Sequence, residues 1–128
     1  MFNFRAVALT ATILAVCGAA VAIAPNASAK GGPGVKVNGV CTKSATAKLK
    51  LSQDNGRVEI EFEVDQNRNG IPWKVTLRRD NSLVASTTAT THAPSGSFTV
   101  RRLISGAQGT FVAVATRSGE RCTAHAAI

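Results

Sequence analysis

The stretch Arg57-Val58-Glu59-Ile60-Glu61-Phe62-Glu63-Val64-Asp65 decides the fold class. Even positions from Val58 to Val64 are apolar, and odd positions from Glu59 to Asp65 are acidic. Successive side chains of a β-strand point to opposite faces, so this segment reads as a strand with one buried and one wet face.

The residues just before it supply an independent check. Ala45, Ala47, Leu49 and Leu51 alternate with Thr46, Lys48 and Lys50, and Asp54-Asn55-Gly56-Arg57 joins the two runs. Asn-Gly is a strong hairpin signal, because both central residues of a type I′ turn need positive φ. A two-residue loop at Asn55-Gly56 sets Asp54 opposite Arg57. Leu51 then meets Ile60, Leu49 meets Phe62, and Ala47 meets Val64. On the other face Lys50 meets Glu61 and Lys48 meets Glu63. A slip of one residue would destroy both patterns.

Further strands follow at short intervals. Trp73, Val75 and Leu77 alternate inward along 73–79, and Asp80-Asn81 reads as a tight turn. The Ser- and Thr-rich segment 82–91 suits an edge strand. His92-Ala93-Pro94-Ser95-Gly96 is a loop, after which Phe98 and Val100 point inward while Thr99 and Arg101 point outward. Phe111 to Ala115 reads as a central strand. Arg117-Ser118-Gly119-Glu120 turns the chain into a last strand, 121–126, with Cys122 inward. No segment carries a helical period. About seven strands without a helix predict an all-β sandwich.

The N-terminal 29 residues read as a targeting segment. Arg5 precedes an apolar run from Ala6 to Ala24, Pro25-Asn26 breaks it, and Ala27-Ser28-Ala29 supplies small residues before Lys30. This is the pattern of a secretory signal peptide, with cleavage expected after Ala29. A retained anchor would be less Ala-rich, and a lipoprotein reading at Cys17 would place bulky Val16 directly before the cysteine. Residues 30–40, beginning Lys-Gly-Gly-Pro-Gly, are expected as a flexible leader, with order from about Val35 onward. Residues 41–128 are expected as one domain with no transmembrane segment.

Arg5 is the single charged residue of the targeting segment, so nearly all of the net charge of +8 belongs to the domain. An exported basic domain attracts anionic polymers. Beyond Cys17, Cys41 and Cys122 remain, an even count in an exported chain, and they are expected to form one disulfide.

Trp73 early in the third expected strand, and Pro94-Ser95-Gly96-Ser97-Phe98-Thr99-Val100 leading into the fifth, resemble immunoglobulin-like and fibronectin-type-III-like modules. The resemblance implies an immunoglobulin-like sandwich and carries no catalytic residue. Antibody domains bridge their second and sixth strands, whereas this chain would tie a segment before the first strand to the seventh. The chain also resembles small exported actinobacterial β-domains of unassigned function. In size, and in the run Thr99-Val100-Arg101-Arg102, it is similar to secreted sandwiches of the neocarzinostatin type, which hold a chromophore in a cleft. Those carry two disulfides, and this chain has cysteines for one.

Candidate sites are few. Asp65-Gln66-Asn67-Arg68-Asn69-Gly70 matches the first half of a calcium loop, but position twelve is Thr76 rather than a bidentate acid, and Arg68 sits inside. It reads as a polar strand connection. Glu59, Glu61, Glu63 and Asp65 stand about 7 Å apart along one strand face, a glycosidase-like spacing. Lysines opposite two of them make an exposed charge ladder the better reading. His92 and His125 are the two histidines, and no nucleophile elbow accompanies them. No catalytic residue, cofactor or metal site is expected.

The basic pairs Arg78-Arg79 and Arg101-Arg102 are the candidate contacts to polyanions. Sequence-specific nucleic-acid binding would add aromatic platforms, yet Phe62, Trp73, Phe98 and Phe111 are needed for the core and the chain has no Tyr. The expectation is a secreted, non-enzymatic sandwich that binds a partner or joins the cell envelope. An anionic cell-wall polymer or another secreted protein is the expected partner. A small-ligand carrier is the alternative, and an inhibitor of secreted proteases, presenting the loop 92–97, is a third.

Overall fold

The computed structural model describes residues 34–128. The expected signal segment and the first residues of the leader lie outside the described residues. Nine strands follow in order: β1 Gly34–Asn38, β2 Val40–Cys41, β3 Thr46–Asp54, β4 Arg57–Asp65, β5 Pro72–Arg79, β6 Ser82–Thr90, β7 Ser97–Ser105, β8 Thr110–Arg117 and β9 Glu120–Ala127. They form two antiparallel sheets, β1-β3-β4-β7 and β2-β9-β8-β5-β6. The chain is all-β among the described residues, and the two-sheet sandwich is consistent with an immunoglobulin-like fold.

The β3–β4 hairpin has the register that its sequence requires. Asn55 (φ 49°) and Gly56 (φ 77°) both adopt the left-handed conformation of a type I′ turn. Leu51 faces Ile60, Leu49 faces Phe62, Lys50 faces Glu61 and Lys48 faces Glu63. Asp80 (φ 47°) and Asn81 (φ 69°) make the same kind of turn between β5 and β6. β6 is an edge strand, and β8 lies between β5 and β9.

Two strands exceed the expected seven, and both fall in or at the end of the segment read as a leader. β1 pairs with β3 and sets Val35 opposite Leu51 and Val37 opposite Leu49. The leader is thus a strand from Gly34 on. Without β1, the outer edge of β3 would present unpaired backbone groups. At Gly39 the chain then leaves one sheet for the other. A Cβ there would stand 2.9 Å from the Thr123 carbonyl oxygen and 3.0 Å from the Ala47 Cβ, so the crossing needs glycine for close approach.

The expected disulfide is present. Cys41 and Cys122 are direct cross-strand partners in β2 and β9, and their bond spans 81 residues of sequence. Between the sheets, Trp73, Phe62, Phe111, Leu49, Leu51, Ile60 and Leu77 are fully buried. Trp73 meets Phe98 with ring centroids 6.4 Å apart at a tilted 55°. Among the described residues no helix is long and apolar enough to cross a membrane.

Candidate polyanion-binding face

Each sheet has an inner face in the core and an outer face in water. The outer faces differ in charge, and the difference follows from strand parity and register.

On the outer face of the four-stranded sheet, acids and bases oppose one another. Glu61 faces Lys50 on β3 and Arg101 on β7. Its carboxylate accepts a hydrogen bond from Arg101 and lies 3.6 Å from Lys50 Nζ. Glu63 faces Lys48 in register, although those two make no ion pair. Within the acidic row read from β4, Glu61 has a basic residue opposite it on both flanks, Glu63 on one, and Glu59 and Asp65 face uncharged residues.

The outer face of the five-stranded sheet is built otherwise. Lys74 on β5 faces Thr116 on β8, which faces Arg121 on β9. Four residues along β5, Arg78 faces Val112, which faces His125. Between these rows runs Val40-Thr123-Val114-Thr76-Ser86, across all five strands. Strands lie about 4.8 Å apart and rise about 3.3 Å per residue. Lys74 and Arg121 are thus about 10 Å apart at their backbones, and Lys74 and Arg78 about 13 Å. All three cations are exposed and none makes an ion pair among the described residues. Arg78 donates to the Asn81 carbonyl, which steers the guanidinium without cancelling its charge.

Among the described residues no carboxylate projects from this face. The acid among its strands, Glu120, points inward and is buried. Its Oε1 accepts from the Ala45 backbone N–H at 3.0 Å, and its Oε2 accepts from Arg117 Nε and Nη2 at 3.2 and 3.0 Å. Arg117 in turn lies over Trp73, 5.5 Å from the ring centroid. This network pins the β8–β9 turn from which Arg121 emerges. Thr42 Oγ1 accepts from the Arg121 backbone N–H, and the disulfide anchors the neighbouring β2. Arg121 therefore leaves from a strand end held by these hydrogen bonds and flanked by the disulfide-linked β2.

The two Arg pairs singled out in the sequence are split by strand alternation. Arg78 belongs to the basic face. Arg79 lies on the inner side, where it donates to the Ser105 and Gln108 carbonyls, approaches Asp80 at 3.8 Å and lies over Phe111. It ties down the β7–β8 connection. Arg101 is paired with Glu61, whereas Arg102 stands opposite Ile60 on the inner side of edge strand β7, with its side chain exposed at the rim. The four arginines do not form one patch. In the sequence, His125 is weighed only as an imidazole without a nucleophile, and Lys74 and Arg121 are not singled out. Their parity along each strand was legible, as was the short turn between β8 and β9, but the pairing of β5 with β8 that unites them was not.

The remaining candidates have structural surroundings. Asp65 Oδ1 accepts from the Asn67 backbone N–H, and Asn67 (φ 55°) and Gly70 (φ 77°) turn the chain. Buried Thr91 donates to the Arg68 carbonyl and accepts from the Ile71 N–H, so the half-match to a calcium loop is a stapled strand connection. The loop 92–97 is closed by His92 N–H to Ser97 O and Gly96 N–H to His92 O, and Gly96 rests against the backbone of Asn67 and Arg68. His92 and His125 lie on different elements, one beside the β6–β7 turn and one on β9. Compared with protein-family models, curated proteins and solved structures, the chain matches none.

Proposed function

We propose that this is an exported, non-enzymatic β-sandwich that holds an acidic polymer of the cell envelope through the outer face of its five-stranded sheet. The observation that carries the reading is the charge segregation. Lys74, Arg78 and Arg121 share an outer face from which, among the described residues, no carboxylate projects, while Lys48, Lys50 and Arg101 of the opposite sheet stand opposite Glu63 or Glu61. An open sheet face suits a polymer that lies across strands. Threonines between the cations offer hydroxyls to its sugars or phosphates. The disulfide is compatible with an extracellular location. A small-ligand carrier would need an apolar cleft, and aromatic and aliphatic side chains occupy the space between the sheets.

The test is binding of the domain to purified cell wall and to a soluble polyphosphate at several salt concentrations. The triple variant Lys74→Gln, Arg78→Gln, Arg121→Gln should bind more weakly, and its dependence on salt should be shallower by roughly one unit of logarithmic slope per lost contact. Arg57→Gln, Arg68→Gln, Arg102→Gln removes the same net charge elsewhere and should retain most of the binding. Equal losses in both variants would mean that net charge, not this face, attracts the polymer.

A further inference from the structure

The four-stranded sheet carries a second, smaller concentration of charge that its ladder leaves unbalanced. Lys36 on β1 stands directly opposite Lys50 on β3, and Lys48 is two residues from Lys50 on the same face. Opposed residues of an antiparallel pair lie about 5 Å apart at Cβ, and diagonal ones about 7–8 Å. Three lysine side chains therefore leave the sheet within about 5–8 Å of one another at Cβ. Like charges set directly opposite are destabilising. Lys50 can turn towards Glu61, but Glu61 is already shared with Arg101. Lys36 and Lys48 make no ion pair among the described residues.

The same residues line a depression of about 320 Å³ on this outer face. Its walls hold four cations, Lys36, Lys48, Lys50 and Arg101, against two carboxylates, Glu61 and Glu63. The balance is two positive charges in excess, in a concave setting bounded by flexible ammonium donors. We infer that this depression is a binding site for a doubly charged phosphate group, held by Lys36, Lys48 and Lys50. A phosphate carries a charge of about −1.5 to −2 near neutral pH and presents several strong acceptors, which matches both the excess charge and the donors. Free inorganic phosphate and a phosphomonoester at the end of a polymer share this chemistry. The site is independent of the basic face on the other sheet. Because Lys36 lies on the outermost strand, an anion bridging it to β3 would also fasten that edge.

The experiment is thermal unfolding of the domain, and isothermal titration, with inorganic phosphate and with glycerol 3-phosphate. Sodium chloride at equal ionic strength is the reference. Binding to the folded state raises the melting temperature in a saturable way. Lys36→Gln and Lys48→Gln should each weaken phosphate at least about five-fold, the scale of one charge-assisted contact. Lys36→Gln should fold at least as well as the parent without phosphate, because it relieves the Lys36–Lys50 repulsion. The triple variant of the basic face should keep the full phosphate response. If glycerol 3-phosphate binds as well as phosphate, a polymer end is the natural occupant; if inorganic phosphate alone binds, the free ion is. The inference is overturned if the melting temperature follows ionic strength whatever the anion. It is also overturned if the lysine variants respond like the parent, or if the triple variant abolishes the response.

Discussion

Glu120→Gln should be the most damaging conservative change at any acid of this domain. The side chain is 1% exposed and satisfies three donors: the Ala45 backbone N–H and two nitrogens of Arg117. An amide has one acceptor oxygen and one donor nitrogen. Whichever way it turns, its NH2 group meets a donor, and either Ala45 N–H or Arg117 is left without its acceptor. Removing one partner of a buried ion pair costs about 3–5 kcal/mol. Arg117 keeps 26% of its side chain in water, which places the cost near the lower bound, about 3 kcal/mol. For a domain of this size each kcal/mol moves Tm by about 4–8 °C, so a fall of about 12–24 °C is expected. Glu61→Gln is the control, chemically the same change on the charge ladder. Glu61 is 20% exposed and its partners Lys50 and Arg101 are 52% and 63% exposed, so the cost there should stay below about 1 kcal/mol. Urea unfolding of both variants measures the difference, with m-values compared to confirm a common unfolded state. If Glu120→Gln costs no more than Glu61→Gln, the buried network does not hold the β8–β9 turn and the reasoning fails.

Phe62→Ala should cost about 3–5 kcal/mol in the same urea assay, because it empties a fully buried site at the centre of β4. A mild effect there would mean that the faces of the hairpin are inverted. Alkylation of the denatured, unreduced domain should label neither Cys41 nor Cys122, and replacing both should lower stability by about 2–4 kcal/mol, since the bond closes a long loop; two labelled thiols would show that no bond forms. Gly39→Ala should destabilise by about 1–3 kcal/mol through overpacking against Thr123 and Ala47. Calorimetric titration with calcium should show no saturable micromolar binding, because the loop 65–70 lacks an acid at position twelve, where Thr76 stands on β5; a saturable isotherm would assign the loop a metal after all.

The sequence alone was sufficient wherever the determining interactions are local. The β3–β4 register follows from a two-residue Asn-Gly turn and strict alternation, because the turn sets which residues face each other and a slip would bury glutamates. The disulfide followed from the two cysteines, Cys41 and Cys122, that lie beyond the expected targeting segment. The seven expected strands all occur, because turn residues punctuate them and apolar residues mark their inner faces. The first strand was harder: Val35-Lys36-Val37 is a short alternation beside glycines, and its partner edge lies in β3, a pairing the glycine-rich stretch gives no cue to. Glu120 was read as a turn residue, since nothing next to it in sequence reveals that Ala45, 75 residues away, supplies the N–H that its carboxylate accepts.

Charge shows the division most sharply. Composition and strand parity tell which side of a strand each Lys or Arg leaves from, and parity alone separates Arg78 from Arg79 and Arg101 from Arg102. It cannot tell which strands lie side by side. That Lys74, Arg78 and Arg121 converge without a neutralising acid, while Lys48, Lys50 and Arg101 stand among glutamates, depends on β5 pairing with β8, β8 with β9, and β4 with β7. The β8–β9 join is a short turn, but the pairings of β5 with β8 and of β4 with β7 link distant segments, and all three are chosen by how two sheets best bury a common core. The net positive charge was written in the sequence. Its division between a face that mixes bases with acids and one that, among the described residues, carries bases alone was decided by tertiary packing, because electrostatic attraction depends on distance in space and not along the chain.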